Sequence, residues 1–430
     1  MREMKDSGIP WIGEIPKNWE LIKGKYIFTQ RNQKDNKINL ELLSPTQNYG
    51  VIPQKKYEEL SGMNAVKLKE STDLHLLKTI HKGDYCISLR SFQGGFEYSE
   101  YEGVVSPAYQ VFYPITPIDR GYYKYLFKEK TFINKMNSYT MSMRDGKNIA
   151  FTDFGNTYIP FPPVQEQQCI ADFLDTKCAR IDFIKKNMEA EIEALKQYKQ
   201  SVITEAVTKG LNKNVKMKDS GIPWIGKIPK DWKVCPLKYL CSYNNETLPE
   251  NTNSEYEFDY VDIGSVTYGK GIENYQHLKF SKAPSRARRL VKKGDVILST
   301  VRTYLKATAQ IPENVYPIVV STGYLTLRAK EQIIPNFLKY SVQQDAFISE
   351  IEAKSSGVSY PAINAIEAVR TNVIVPPIYE QQRIADYLDS KCSKIDSIIQ
   401  KKQELLANLD TYKKSLIYEY VTGKKEVPSA

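Results

Sequence analysis

Apolar residues recur every seven positions in two stretches of this chain, 163–210 and 377–423. Each stretch follows a Pro-Pro pair and ends at a glycine, which are typical start and stop signals of a helix. A helix with an apolar seam at heptad spacing needs a partner helix, because it cannot bury that seam alone. The pattern therefore predicts two long paired helices. The seam residues are Leu174, Ile181, Met188, Leu195 and Val202 in the first stretch, and Leu388, Ile395, Leu409 and Leu416 in the second.

Each predicted helix would be roughly 70 Å long at 1.5 Å per residue. The seam is imperfect, because Lys177, Glu205 and Lys402 fall on it, so we expect part of it to be hydrated or to set the register of the pair. Two ordinary core helices of separate domains are the alternative. The length of the stretches and their shared heptad phase favour the coiled coil.

Both helices belong to a tandem repeat. The start of the first helix, PPVQEQQCIADFLDTKCARID (162–182), returns as PPIYEQQRIADYLDSKCSKID (376–396), and MKDSGIPWIGEIPKNW (4–19) returns as MKDSGIPWIGKIPKDW (217–232). We call 4–19 and 217–232 the tryptophan segments. They are expected to pack on the helices as aromatic anchors, with base stacking as the alternative. The predicted domains are 1–162, the helix 163–211, the domain 212–376 and the helix 377–424.

Between tryptophan segment and helix lie two variable regions, 21–161 and 234–375, which mix strand-like and helix-like stretches. Strands are predicted at 84–90 and 295–302, each after a Lys-Gly-Asp turn. Helical stretches follow at 121–137 and 335–350, and then polar loops containing glycine. The fold class is therefore α+β. Because the two regions share this outline but differ in nearly every surface residue, one scaffold that binds two different targets is predicted.

Composition narrows the function classes. The 430 residues are 41% hydrophobic and 26% charged, without an apolar run of 18 residues or an apolar leader, so we expect a cytoplasmic globular protein. The six cysteines show no metal spacing and are interpreted as free thiols, and three histidines argue against a zinc site or histidine catalysis. The net charge of +10 lies on the variable regions and on residues 212–233 before the second one, because the two helices are nearly neutral.

A basic surface that interleaves with tyrosine indicates nucleic acid as the target. Arg286, Arg288 and Arg289 lie close together and are predicted to contact phosphates, with a solvated basic loop as the alternative. Twelve further side chains on the strands and polar loops are predicted to face DNA bases. They are Arg90, Tyr109, Arg144, Lys147 and Asn148 in the first domain, and Arg302, Tyr304, Lys306, Tyr324, Ser356, Tyr360 and Asn364 in the second.

One string resembles a nucleotide-binding loop. In DIGSVTYGKGI (262–272), Gly264, Gly269 and Lys270 have the spacing of a phosphate-binding loop, but Gly271 stands where the magnesium-binding hydroxyl should be. A turn between two strands is the better interpretation. The chain also lacks the Asn-Pro-Pro-Phe or Asn-Pro-Pro-Tyr motif of adenine methyltransferases. We therefore predict no catalytic residues, no metal site and no enzyme activity.

The doubled tryptophan segment and the doubled Pro-Pro-x-x-Glu-Gln helix start resemble those of the specificity (S) subunit of type I restriction–modification enzymes, over the full chain. That resemblance implies two target-recognition domains joined by two long antiparallel coiled-coil helices, with pseudo-two-fold symmetry. Each domain would bind one half of a split double-stranded DNA target. The chain would bring two adenine methyltransferase (M) subunits to DNA and recruit ATP-dependent translocase–nuclease (R) subunits. S-adenosylmethionine, ATP and Mg would then be bound by those partners and none by this chain.

Because the two domains differ, the expected target is asymmetric and bipartite, with an unread spacer. A stand-alone DNA-binding regulator or scaffold without methyltransferase partners is the alternative. An enzyme with a cryptic nucleotide site is a more distant one.

Overall fold

The computed structural model describes residues 2–34, 40–63, 74–87, 95–139, 149–357 and 359–428. The chain divides into two compact units. The first unit contains residues 1–188 and 403–430, and the second contains 189–402. Each unit therefore combines one variable domain with part of both long helices.

The first half of the chain contains twelve described strands and six α-helices. The strands are β1 (Met4–Asp6), β2 (Glu14–Pro16), β3 (Glu20–Lys23), β4 (Phe28–Arg31), β5 (Leu43–Thr46), β6 (Gly50–Pro53), β7 (Lys78–Ile80), β8 (Tyr85–Ile87), β9 (Phe96–Tyr98), β10 (Gly103–Val105), β11 (Gln110–Pro114) and β12 (Tyr158–Phe161). The helices are α1 (Gly24–Ile27), α2 (Gln54–Ser61), α3 (Arg120–Leu126), α4 (Lys130–Ser138), α5 (Phe151–Asn156) and α6 (Val164–Lys209).

The second half repeats this order with more strands among its described residues. The strands are β13 (Met217–Asp219), β14 (Lys227–Pro229), β15 (Lys233–Pro236), β16 (Cys241–Tyr243), β17 (Glu246–Thr247), β18 (Glu257–Val261), β19 (Val266–Thr267), β20 (Gly271–Ile272), β21 (Gln276–Lys279), β22 (Ala287–Val291), β23 (Val296–Ser299), β24 (Thr308–Gln310), β25 (Ile318–Ser321), β26 (Tyr324–Ala329) and β27 (Asn372–Val375). The helices are α7 (Leu237–Leu240), α8 (Pro335–Gln343), α9 (Asp345–Ala353), α10 (Ala365–Ala368) and α11 (Ile378–Val421).

The two variable domains share one sheet topology. In the first unit an antiparallel sheet has the order β4-β11-β8-β9, and in the second unit the matching order is β16-β26-β23-β24. Two short pairs of the first unit, β10-β7 and β5-β6, correspond to part of a five-stranded sheet in the second, β17-β22-β25-β18-β21. The predicted strand after each Lys-Gly-Asp turn is present in the described residues as β8 and β23. The α+β fold class with a tandem repeat is thereby confirmed.

The long helices run antiparallel within each unit. In the first unit the beginning of α6 packs on the end of α11, where the rings of Phe173 and Tyr420 are 4.5 Å apart and Lys413 is 2.6 Å from Asp182. In the second unit the end of α6 packs on the beginning of α11, where Lys199 Nζ is 2.7 Å from Asp396. The predicted coiled-coil pairing is confirmed.

The nine predicted seam residues differ in burial. Six of them are buried, namely Leu174, Ile181, Val202, Leu388, Ile395 and Leu416. Met188, Leu195 and Leu409 are only half-buried. Lys402, which the heptad pattern places on the seam, forms an ion pair with Glu191 in the second unit. This ion pair joins α11 to α6, so a charged residue on the seam helps to set the register of the two helices, as expected.

The tryptophan segments pack on helix ends, as predicted. Trp19 is fully buried and approaches Gly423, which follows α11, while Trp232 approaches Gly210, which follows α6. Both glycines have a positive φ, near +71° and +77°, so each ends its helix in the left-handed conformation. A Cβ at Gly423 would lie only 2.5 Å from Pro16. In each unit, the glycine that ends the helix and the tryptophan that packs on it therefore form one contact.

The Pro-Pro-x-x-Glu-Gln start positions each domain on its helix through a buried glutamine. Gln167 accepts a hydrogen bond from Asp119 N (2.9 Å) and donates to Pro162 O (2.8 Å). Gln381 makes the same pair of contacts in the second unit, with Ile334 N (2.9 Å) and Pro376 O (2.8 Å). The amide satisfies a buried donor and a buried acceptor at once, so this position of the motif joins domain and helix.

A tyrosine–aspartate hydrogen bond is a second contact that both units share. Tyr125 donates to Asp175 on α6 (2.6 Å), and Tyr340 donates to Asp389 on α11 (2.7 Å). All six cysteines are free thiols, as predicted. Among the described residues, no helix is both long and apolar enough to cross a membrane.

Candidate nucleic-acid interface

A strained turn follows β23 in the second domain. The 3-10 turn Thr303–Leu305 is flanked by Arg302 and Lys306, whose φ angles are +50° and +52°. Such left-handed backbone is uncommon for residues other than glycine and persists only where the surroundings hold it. The predicted strand 295–302 ends early, at Ser299, because the chain bends into this turn.

The polar loop before α10 holds the strained turn in place. Arg302 N donates to Pro361 O at 2.7 Å, and Val301 forms a β-bridge with Ala362. The Arg302 guanidinium lies over the ring of Tyr360, with its carbon 4.9 Å from the centroid. Two segments that are distant in sequence therefore form one surface. We call Val301–Lys306 together with Ser355–Ala362 (Val358 lies outside the described residues) the paired loops.

The paired loops expose groups that suit base recognition. Tyr304 is 54% exposed and Tyr360 is 65% exposed, and Arg302 and Ser356 are also exposed. An exposed guanidinium can donate two parallel hydrogen bonds to guanine, and exposed aromatic rings can stack on bases or sugars. Four of the seven base-facing residues predicted in this domain are thus exposed together on the paired loops.

Two further predicted residues have partners near the same surface. Lys306 Nζ lies 3.7 Å from Asp345 and 5.4 Å from the ring centroid of Tyr268. Asn364 caps α10, since its side-chain oxygen accepts from Ile366 N at 2.9 Å. Its oxygen is therefore already engaged. No sequence pattern indicates Tyr268 or Asp345, because these residues reach the loop only through the fold.

The prediction for Tyr324 is wrong. This side chain is fully buried in the domain, and its hydroxyl donates to Asp262 O at 3.0 Å. Burial raises the pKa of its phenol well above the usual value. Tyr324 begins β26 with its ring on the core side, so it cannot reach DNA.

The predictions for the first domain are largely not covered by the structure. Arg90, Arg144, Lys147 and Asn148 lie outside the described residues. Tyr109 is half-buried and packs beside a small apolar cluster, and its backbone oxygen accepts from Lys78 Nζ at 2.7 Å. Its ring retains partial exposure.

The three predicted phosphate-contacting arginines do not form one uniform patch. Arg286 is exposed before β22, whereas Arg288 lies over Phe280 at 4.9 Å and donates to Ala287 O. Arg289 is half-buried, its Nε has no hydrogen-bond partner, and burial lowers its pKa. A β-bulge separates Ala287 from Arg289 in the pairing with β25. Arg286 is therefore the best placed of the three for a phosphate.

The nucleotide-loop-like string forms a turn, as predicted. β19 and β20 pair antiparallel through Thr267 and Gly271, so Gly269 and Lys270 lie in the turn between them. Lys270 is engaged with Glu273 at 3.1 Å. This local pairing leaves no backbone cradle of the kind that binds phosphate at a helix start.

Comparison with known proteins identifies the scaffold. Two segments of the chain, 16–194 and 229–407, match the family model described as Type I restriction modification DNA specificity domain. The two matched segments follow the two halves of the tandem repeat.

Curated relatives match nearly the whole chain. The chain is 24% identical over 432 residues to the type I restriction enzyme MjaVIII specificity subunit of Methanocaldococcus jannaschii, with 96% of this chain and 94% of that protein covered. It is 23% identical to the putative MjaX specificity subunit of the same organism, with 97% and 96% covered. The EcoBI specificity subunit of Escherichia coli is 23% identical, with 68% and 63% covered.

Solved structures show the same fold. A chain from a study of complex assembly and conformational transition of the type I R-M system matches with a TM-score of 0.71 at 16% identity, covering 96% of this chain and 99% of that one. The HsdS subunit from Thermoanaerobacter tengcongensis matches with a TM-score of 0.55 at 16% identity, covering 96% and 98%.

Proposed function

This chain belongs to the type I restriction–modification DNA specificity family, and from that premise we propose that it recognises an asymmetric, bipartite double-stranded DNA target. Each variable domain binds one half of the target, and the segment between the two half-sites is not read. The chain itself performs recognition and no catalysis.

One observation carries this proposal: two domains with matching strand order present different surfaces. The sheets β4-β11-β8-β9 and β16-β26-β23-β24 are equivalent, and the same glutamine and tyrosine contacts join each domain to a helix. Elsewhere the sequences of the two variable regions, 21–161 and 234–375, differ at most positions. Two copies of one scaffold with different exposed side chains are suited to reading two different sequences.

In the second domain the paired loops are the proposed base-reading surface. Arg302 and Tyr360 lie at its centre, and a bidentate arginine–guanine contact contributes roughly 1–3 kcal/mol of discrimination against a wrong base. Arg286 is proposed to contact a phosphate, which positions the domain without reading sequence. In the first domain, Arg90, Arg144, Lys147 and Asn148 remain predictions.

The proposed partners follow from the family. Two methyltransferase (M) subunits would methylate adenine within the target, and restriction (R) subunits would join them for cleavage. S-adenosylmethionine, ATP and Mg would be bound by those subunits. We place no cofactor on this chain.

A domain exchange tests the proposal. Residues 21–160 are replaced by the corresponding domain of a family member with a different target, and the protein is expressed with its methyltransferase. Methylated adenines are then mapped across the host genome. We expect one half of the methylated sequence to change and the other half to remain, because each half-site is read by its own domain.

The reciprocal exchange of residues 234–375 is the matched control and should change the other half only. A change in both half-sites after either single exchange would contradict independent reading. Loss of all sequence preference with methylation retained would contradict the recognition role itself.

A further inference from the structure

A half-buried guanidinium site lies beside the first tryptophan segment. The two terminal nitrogens of Arg2 contact the two carboxylate oxygens of Glu166, at 2.5 Å and 2.9 Å. One of them also donates to Asn18 Oδ1 at 3.0 Å, and the guanidinium carbon lies 5.4 Å from the ring centroid of Trp19. A bidentate ion pair together with an aromatic ring face holds a planar cation in a single orientation.

The repeat places the same acceptors in the second unit but not the cation. Trp232 and Glu380 are equivalent to Trp19 and Glu166, and Asn18 is replaced by a carboxylate, Asp231. Val215 stands where Arg2 stands in the first copy. The site is therefore more acidic in its acceptors and has lost its own arginine.

A cavity occupies this part of the second unit. Its volume is about 230 Å³. Its lining includes Val215, Lys216, Lys230, Asp231, Trp232 and Glu380. Drug-sized ligands usually need roughly 300–1,000 Å³, so this space fits a single side chain better than a whole small molecule.

The two carboxylates that line the cavity can still accept hydrogen bonds from a cation. Glu380 accepts a hydrogen bond from Trp232 Nε1, whereas the matching Trp19 Nε1 has no partner in the first copy, where the glutamate is engaged by Arg2. Across the described part of the chain, neither Asp231 nor Glu380 forms an ion pair, although Lys216 and Lys230 line the same cavity. In the first copy the equivalent of Lys230, which is Lys17, is paired with Glu3 instead.

We propose that this cavity binds the guanidinium group of an arginine side chain from a partner polypeptide, at Glu380 and Asp231 and against Trp232. The first copy shows how the chain itself fills the same acceptors with a polypeptide arginine. Lysine fits less well, because its compact ammonium lacks the planar fork that matches a carboxylate. This inference does not depend on which DNA sequence the protein recognises.

The test uses the full-length chain and small peptide probes. N-acetyl-arginine amide is titrated calorimetrically against the wild-type protein, with the citrulline and lysine analogues as neutral and cationic controls. We expect one site per chain, because Arg2 already fills the first copy, and at least tenfold weaker binding of both analogues. Glu380→Gln should weaken the arginine probe at least tenfold, and it preserves an acceptor for Trp232 Nε1.

The variant Val215→Arg is a second control, which adds a side chain to the cavity and removes no contact. It restores the arginine of the first copy, so it should abolish binding of the probe and raise the melting temperature. Equal affinity for the citrulline analogue, or one equivalent bound to Val215→Arg, would overturn the proposal. Binding of inorganic phosphate in place of the arginine probe would assign the cavity to Lys216 and Lys230 instead. Tighter binding of agmatine than of an alanyl-arginyl-alanine peptide would overturn the partner-chain source.

Discussion

The two variable domains have the same strand order but different cores. In the first, the ring of Phe28 lies 5.3–5.7 Å from five other aromatic rings. In the second, smaller aliphatic side chains and a thiol occupy the matching buried positions. The matched pairs are Phe28 and Cys241, Phe112 and Leu327, and Phe154 and Ala368. The backbone arrangement therefore does not depend on one set of core side chains.

The contacts between domain and helix differ much less than the cores do. Trp19 and Trp232 close on the helix-ending glycines, and Gln167 and Gln381 make equivalent hydrogen bonds. A buried amide with two specific partners tolerates substitution poorly, because losing it leaves two polar groups unsatisfied. A hydrophobic core, by contrast, can be repacked if its volume is preserved. The contacts between domain and helix are therefore the same in both halves of the chain. The side chains in the interior of each domain differ, as those on its surface do.

The largest expected effect comes from removing an aromatic side chain from the first core. Phe112→Ala should lower the free energy of unfolding of the first unit by about 3–5 kcal/mol, because it removes a ring that packs against Tyr85, Phe127 and Phe154 and leaves a cavity. The decrease in the free energy of unfolding is measured by urea unfolding, with amide hydrogen exchange used to monitor each unit separately.

Leu327→Ala is the matched variant in the second unit, at the equivalent position of the equivalent strand. It should cost about 2–5 kcal/mol there, and the first unit should keep its exchange protection. Equal loss of protection in both units after either substitution would contradict the division of the chain into two separately packed cores.

The sequence predicted the elements whose signals are local or repeated. The helices were predicted over 163–210 and 377–423 and are found at Val164–Lys209 and Ile378–Val421, since Pro-Pro and glycine mark their ends. The repeat also indicated which segments are equivalent. The helical stretches predicted at 121–137 and 335–350 are each two helices, because extended backbone at Glu129 and at Gln344 interrupts them.

Side-chain placement in the candidate site was less predictable. Tyr324 and Tyr360 are both predicted to face DNA, yet one is fully buried and the other is 65% exposed. The difference depends on which face of β26 meets the core and on the contact between two loops separated by about 50 residues. Neither follows from periodicity in short, irregular strands. The strained backbone at Arg302 likewise depends on Pro361, which the sequence pattern does not place nearby.

A smaller effect is expected at the paired loops. Arg302→Ala should change the base preference at one position of the half-site read by the second domain, with a loss of discrimination of roughly 1–3 kcal/mol. The first half-site should be unaffected, because its reader lies in the other unit. Competition binding with a library of single-base variants of the mapped target measures both half-sites at once.

Arg286→Ala is the control for the same domain. An exposed arginine that contacts phosphate should weaken binding to all sequences about equally and reduce the dependence of log K on log salt by about one unit. If Arg302→Ala behaved in this uniform way as well, the paired loops would position the domain and would not read bases.

The last expected effect is a pH dependence that only the first unit should show. Glu97 on β9 is almost fully buried and is 2.6 Å from Lys128, whereas the matching position of β24 is Ala309. Burial raises the pKa of Glu97 from 4.5 to about 7, and the nearby Lys128 only partly opposes that shift. Between these two values the folded state binds more protons than the unfolded state, so the stability of the first unit should fall as the pH rises from about 4.5 to 7 and level off above it.

Hydrogen exchange of the two units at pH 5, 6, 7 and 8, corrected for intrinsic rates, measures this decline in stability, with the second unit as the internal reference. Glu97→Gln keeps the shape of the side chain but cannot ionise, so it should remove the decline between pH 5 and 7. A decline of the same size in that variant would mean that another group of the first unit titrates, and that the buried carboxyl is not what distinguishes the two cores in their response to pH.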